Sequence, residues 1–149
     1  MSITEFCTTD VECVEKNSSV IQAARIMRES HVGDVVICSK ESGVSKPIGI
    51  LTDRDIVVGV VALEIPLETV RVEDVMTPTL VTVNRNAGVY ETIHLMETYG
   101  VRRLPVVDDE GGLVGIVSSG DLLELLGQEI SALSRLSARQ KMKEQEIRV

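Results

Sequence analysis

The chain has no tryptophan, one phenylalanine and two tyrosines, so aromatic residues make up only 2% of it. Proteins that hold single-stranded nucleic acid by base stacking need more aromatic faces than that. Positive charge is also short. Asp and Glu number 23 against 15 Lys and Arg, leaving a net charge of −8. Such a surface repels a phosphate backbone unless its basic residues cluster, and the one local cluster is Arg102-Arg103. No nucleic-acid partner is expected. Cysteines are few: Cys7, Cys13 and Cys38 are odd in number and lack Cys-x-x-Cys spacing. A redox sensor is the alternative, but no resolving pair is visible, so small buried or half-buried side chains in a reducing cytosol are expected. His31 and His94 form no metal-binding spacing with them. The longest apolar tract, 56–63, is too short to span a bilayer. The N-terminal Met-Ser-Ile-Thr-Glu-Phe lacks the basic region and apolar run of a signal peptide. A cytoplasmic protein without membrane contact is the expectation.

What the chain does have is aliphatic side chains, within a hydrophobic content of 44%, and a length of about one domain. It also repeats itself. Gly49-Ile50-Leu51-Thr52-Asp53-Arg54-Asp55 returns as Gly115-Ile116-Val117-Ser118-Ser119-Gly120-Asp121, at an offset of 66 (115 − 49). Upstream the offset is 69: Val14 matches Val83, Asn17 matches Asn86, and Met27 matches Met96. The first copy therefore carries three extra residues (69 − 66), assigned to a loop within 39–47 rich in Ser, Gly, Lys and Pro.

Each copy reads as strand, helix, strand, strand, helix. In the first, the strands are 11–14, 35–38 and 48–51. The helices are 20–30, capped from 17–19, and one from Thr52 or Asp53 to about Ala62. In the second, the strands are 80–83, 104–107 and 113–117, and the helices are 89–99 and 119–126. Continuous rather than alternating apolar runs imply strands covered on both faces. Helix 20–30 should turn Val20, Ala23, Ala24 and Met27 inward, and helix 89–99 should turn in Val89, Ile93 and Met96. The fold class is α/β (α+β), with units at 1–66 and 67–127 packed about a pseudo-two-fold axis. A separate, lightly packed helical tail follows at 128–149 and frays after Arg139. Neither unit buries enough surface to be stable alone.

These residues resemble a tandem pair of CBS motifs, a Bateman module of the stand-alone type. The pieces that match are Val-Met-Thr-Pro at 75–78, Tyr99-Gly-Val-Arg-Arg-Leu-Pro-Val-Val-Asp108, and the two Gly-aliphatic-aliphatic-Thr/Ser-x-x-Asp segments. The first copy departs from the pattern, with His31-Val-Gly-Asp where the second has Gly100-Val-Arg-Arg. The resemblance implies a regulatory module binding an adenosine-containing ligand such as AMP, ADP or ATP. It implies no required cofactor, and any Mg²⁺ would arrive on ATP. A homodimer and an unidentified regulated protein are the implied partners.

Chemistry suits the implied ligand. An ionised Asp55 or Asp121 can accept both hydroxyls of a ribose. Thr52 and Ser118 sit where a strand meets a helix N-terminus, a place that favours phosphate. Apolar residues at Val11 and Leu80 can wall a purine. The family's habit of drawing one site from both copies puts Thr52, Arg54 and Asp55 with Arg102 and Arg103. It puts Ser118 and Asp121 with Gly33 and Asp34. One cleft should then favour phosphate, and the other should be weaker or differently selective. Asp53 and Asp55, with Asp74 or Asp108-Asp109-Glu110, make a poor Mg²⁺ site, and no nucleophile–base constellation has supporting context, so no reaction is expected. The rival reading is an interaction module in which the Asp and hydroxyl residues only cap helices.

Overall fold

A computed structural model describes residues 1–77 and 80–148; Pro78, the last residue of the Val-Met-Thr-Pro motif, and Thr79 lie outside the described residues. The elements are β1 (Cys13–Glu15), α1 (Val20–Ser30), β2 (Asp34–Glu41), β3 (Val44–Thr52), α2 (Asp53–Ile56), α3 (Val72–Val75), β4 (Val83–Asn84), α4 (Val89–Tyr99), β5 (Arg103–Val107), β6 (Leu113–Ser118) and α5 (Ser119–Ile147). They form two three-stranded sheets with the same order. β1 runs parallel to β2, which is antiparallel to β3; β4, β5 and β6 repeat this. Even the bulge recurs, at Ile37/Cys38 and at Val106/Val107.

Each sheet has its own core, and the two are copies. Val14, Met27, Val35, Ile37, Leu51 and Ile56 in one answer to Val83, Met96, Leu104, Val106, Val117 and Leu122 in the other. One pair is exchanged. Ile3 and Val72 are equivalent by position (72 − 3 = 69), yet Ile3 is buried in the second core and Val72 in the first. Matching bonds hold them: Ile3 N–H donates to Ala87 O and Val72 N–H donates to Ser18 O, each at 2.9 Å. The leading segment of each unit thus completes the core of the other, which gives a structural reason why neither half should fold alone. The repeat reaches upstream to Ile3, into residues whose sequence similarity is too faint to read.

Local chemistry explains the helices. Ser19 caps α1 in a reciprocal capping box with Gln22. α1 ends at His31 and α4 at Gly100, equivalent positions (100 − 31 = 69) that both take the left-handed conformation, with φ of 54° and 63°. On α1, Ala24 is exposed and Ile26 takes part in the packing instead. On α4, the fully buried residue is Thr92, whose hydroxyl donates to Gly88 O at 2.8 Å; Val89 and Ile93 pack at the edge.

Four further expectations need correction. The first strand of each copy is Cys13–Glu15 and Val83–Asn84, not 11–14 and 80–83. The supposed loop within 39–47 is strand: β2 and β3 continue outward to Glu41/Val44 around a tight turn, with Ser42 and Gly43 at φ of 52° and 80°. The insertion lengthened a hairpin, because two flanking strands can keep pairing outward at no cost to the core. Next, the helix after Thr52 is α-helical only to Ile56 and widens to π-helical turns over Val57–Val61. Finally, no break separates a closing helix from a tail. α5 runs from Ser119 to Ile147 straight through Gly127. Glycine in a helix interior costs only about 1 kcal/mol relative to Ala, too little to stop a helix flanked by good formers. Leu123, Ile130, Leu133 and Leu136 along it are exposed.

Candidate ligand clefts

The site begins with two helix caps. Thr52 and Ser118 end β3 and β6 and cap the helices that follow. Asp55 Oδ2 accepts from Thr52 N–H at 2.9 Å, and Thr52 Oγ1 accepts from Asp55 N–H at 3.1 Å. Asp121 Oδ2 accepts from Ser118 N–H at 2.8 Å, and Ser118 Oγ accepts from Asp121 N–H at 3.2 Å. The caps differ in one hydrogen bond. The Ser118 hydroxyl donates to Asp121 Oδ2 at 2.9 Å, while the Thr52 hydroxyl makes no such donation among the described residues. Thr52 thus keeps a donor for an incoming anion.

Over each cap lies a crossing chain. Thr8 and Ile116 exchange backbone hydrogen bonds, each 2.9 Å, and Thr77 N–H donates to Ile50 O at 3.1 Å. The crossings explain Gly49 and Gly115. A Cβ at Gly115 would stand 2.6 Å from Thr8 O, and one at Gly49 would stand 2.7 Å from Met76 Sδ.

Two clefts result. One, of about 450 Å³, is lined by Thr8, Asp10, Val11, Glu12, Val32, Gly33, Asp34, Arg103, Ile116, Ser118 and Asp121, with Ser30. The second, of about 160 Å³ between described residues, is lined by Ile50, Thr52, Thr77, Leu80, Val81, Val101, Arg102 and Arg103. Every residue of the smaller cleft has its counterpart in the larger. Thr77 answers to Thr8, Leu80 to Val11, Val81 to Glu12, Val101 to Val32, Ile50 to Ile116 and Thr52 to Ser118. The substitutions that break this symmetry are all of charge: Glu12 for Val81, Gly33 for Arg102, Asp34 for Arg103. The larger cleft holds four carboxylates and one guanidinium, and Arg103 is already bound, Nε to Asp34 Oδ2, at 2.6 Å. Burial nevertheless holds the Asp34 carboxyl above its ordinary value, against the pull of Arg103 and with help from Asp53.

The structure therefore brings Thr52 together with Leu80, Arg102 and Arg103, and Ser118 and Asp121 together with Gly33 and Asp34. Arg103 also reaches the acidic cleft, so it borders both. Arg54 stands apart. It is exposed and lines neither cleft, because successive helical residues point in different directions and only the cap and the third residue share a side. Asp55 touches the smaller cleft only through its bond to Thr52. Sequence reading missed Thr8, Asp10 and Glu12. The signal was the equivalence of Val11 with Leu80, which carries those neighbours with it. Among the described residues, no cluster of His, Cys, Asp and Glu could hold a metal ion, and no helix is long and apolar enough to cross a membrane.

Paired units with exchanged leading segments and two pseudo-symmetric clefts define a tandem regulatory-type module. The chain belongs to the CBS domain family: the family model matches residues 3–62 and again 72–128. It is 39% identical over 121 residues to the CBS domain-containing protein YhcV of Bacillus subtilis, covering 81% of this chain and 82% of that protein. It is 37% identical over 125 residues to the uncharacterized protein MK0525 of Methanopyrus kandleri; the match takes in 84% of this chain but only 62% of that protein's length. Among solved structures, Hypoxic Response Protein I with two coordinated zinc ions superposes with a TM-score of 0.72 at 31% identity, covering 83% of this chain and 98% of that one. The CBS domain pair of protein MJ0100, in complex with 5′-methylthioadenosine and S-adenosyl-L-methionine, superposes with a TM-score of 0.72 at 26% identity, covering 87% and 98%.

Proposed function

We propose that this chain is a regulatory module that binds adenosine-containing ligands in its two clefts and signals their occupancy to a partner. The observation that carries the reading is the matched pair of clefts, each built over a Thr/Ser-x-x-Asp cap and opposite in charge. Asp121, which lines the larger cleft, keeps Oδ1 for ribose hydroxyls, Asp55 stands behind Thr52 at the smaller one, and an apolar residue, Val11 or Leu80, offers each a wall for the base. The Thr52 cleft suits the phosphates of AMP, ADP or ATP, with the Thr52 hydroxyl and the Arg102 and Arg103 guanidinium groups as donors. A metal there would be one brought by ATP. The Asp121 cleft, of a volume usual for small-ligand sites, suits an adenosine ligand without phosphate. The 5′-methylthioadenosine and S-adenosyl-L-methionine held by the MJ0100 pair support that class.

Ligand occupancy would bias how the two units pack, by no more than the difference in its affinity for the two arrangements. The exposed Val57, Val58 and Val61 beyond α2 and Leu123 on α5 offer a face for a homodimer. Calorimetric titration with AMP, ATP and 5′-methylthioadenosine tests the reading. Asp55→Ala should abolish phosphate-ligand binding, and Asp121→Ala should abolish binding of the uncharged nucleoside. Equal losses for every ligand from both changes would sink the division of labour.

A second reading, an interaction module without ligand, is favoured by the completeness of the two capping boxes. A 260 nm absorbance excess in the purified protein, which has no tryptophan to mask it, separates the two.

A further inference from the structure

Cys13 opens β1, and Cys38 lies on the neighbouring β2. In the parallel register Cys13 stands opposite Val36 and Glu15 opposite Cys38, so the cysteines are diagonal neighbours. They share a face. Val14 and Ile37, paired between them, point into the first core, and strand alternation turns Cys13 and Cys38 to the other side. There both line one cavity of about 600 Å³, together with Lys16 and Lys40. Cys13 is exposed and Cys38 buried, and both are free thiols. From their juxtaposition we infer that Cys13 and Cys38 are a reversible redox pair, closing to an intramolecular disulfide when the protein meets a hydroperoxide.

The chemistry fits the asymmetry of the pair. Interaction with the neighbouring Cys38 thiol draws the Cys13 pKa below its ordinary value; burial and Glu12 oppose this, and Lys40 assists. Cys38 is pushed the other way by the same interaction and by burial. Cys13, the exposed member, is the thiol that meets the peroxide, and the buried Cys38 is the resolving thiol. The Cys13 sulfur attacks one peroxide oxygen; the S–O bond forms, the O–O bond breaks, and the other oxygen leaves as alcohol or water after taking a proton. The Cys38 sulfur attacks the resulting sulfenic acid. The S–S bond forms, the S–O bond breaks, and the departing hydroxide takes the Cys38 proton as water. Two thiols lose two electrons and one peroxide gains them. A dithiol reverses the bond by attack at the exposed Cys13 sulfur.

Strand spacing and rise put such diagonal partners about 8 Å apart between Cα atoms, beyond the roughly 7 Å that a disulfide spans, so closure must draw β1 toward Cys38. β1 has three residues and lies at the sheet edge. Directly before it, Asp10, Val11 and Glu12 wall the acidic cleft. Oxidation should therefore shift that wall. The consequence for ligand rests on the function proposed above; the disulfide does not.

The test treats the full chain with hydrogen peroxide, blocks remaining thiols with iodoacetamide and maps the peptides without reduction. The expected result is a Cys13–Cys38 linked peptide, one alkylated cysteine, Cys7, and full return of three thiols with dithiothreitol. Cys7→Ser should keep the link and Cys13→Ser should lose it. Sulfinic acid at Cys13, or crosslinks only between chains, overturns the pair. Hydrogen exchange at 8–12 should differ between oxidised and reduced protein. If exchange there is unchanged, the coupling to the cleft fails while the disulfide stands, and absence of ligand binding touches neither measurement.

Discussion

Arg103 Nε donates to Asp34 Oδ2 at 2.6 Å, and the two residues occupy the same position in the two copies (103 − 34 = 69). A residue in contact with its own repeat mate must lie beside the pseudo-two-fold axis. This pair therefore marks the axis and the boundary between the two clefts. It also sets their charge, because the guanidinium that could serve the acidic cleft is held by that cleft's own carboxylate. Side-chain exposures of 43% for Arg103 and 15% for Asp34 leave the pair partly solvated, so its direct contribution to stability is small, about 1 kcal/mol or less. Its weight is in selectivity.

Asp34→Asn removes one carboxylate from the acidic cleft and releases Arg103. In an Asp55→Ala background, where the Thr52 cleft is disabled, AMP affinity should rise about tenfold, the equivalent of ~1.4 kcal/mol. Titration calorimetry reads this directly. Unchanged affinity would mean that Arg103 does not reach a bound phosphate from that cleft.

The same variant tests the electrostatics. Burial, chiefly, keeps the Asp34 carboxyl above 3.8, so the folded chain holds that proton more tightly than the unfolded chain does. The associated stability is fully present below pH 3.8 and is lost as pH rises through the raised value. Other carboxylates titrate nearby, so the informative quantity is a difference. Unfolding free energy of the wild type minus that of Asp34→Asn should fall as pH climbs from about 3.5 to 6. Urea denaturation across that range checks the sign.

Gly49 and Gly115 are equivalent in sequence but not in what crowds them. A methyl at Gly115 meets the backbone carbonyl of Thr8, itself bonded to Ile116, at 2.6 Å, whereas one at Gly49 meets the Met76 thioether first, at 2.7 Å, and backbone only at Thr77 O, 3.4 Å away. Thioethers swing aside and paired backbone does not. Gly115→Ala should therefore cost more, roughly 1–3 kcal/mol, and Gly49→Ala distinctly less. Thermal unfolding of the two variants ranks them, and the reverse order would contradict the crossing geometry.

Ile3, the third residue of the sequence, is fully buried. Ile3→Ala should cost about 2–5 kcal/mol, as in any core. Because Ile3 belongs to the second core, protection from hydrogen exchange should weaken at β5 and β6 before it weakens at β2 and β3. A surface-like loss below about 0.5 kcal/mol would rule out the exchanged segment.

Periodicity and repetition determined a good deal of this protein. Apolar runs without alternation specified covered strands, Val20, Ala23 and Met27 at helical spacing specified an inward face, and Thr52, Asp55, Ser118 and Asp121 announced two strand-to-helix caps. These properties are local, set by side chains within a few residues of each other. The charge contrast at Gly33-Asp34 and Arg102-Arg103 was also open to reading, since the offset of 69 aligns those positions. Tertiary structure alone decided what crosses the chain. It seated Ile3 in the other unit's core and laid Thr8 over Gly115. It placed Arg103 on Asp34 and turned Arg54 out to solvent. It also set Cys13 beside Cys38, 25 positions apart (38 − 13) and without any motif spacing. Such contacts depend on strand register and on the symmetry axis, which are fixed by packing two sheets together and leave no periodic trace in either one.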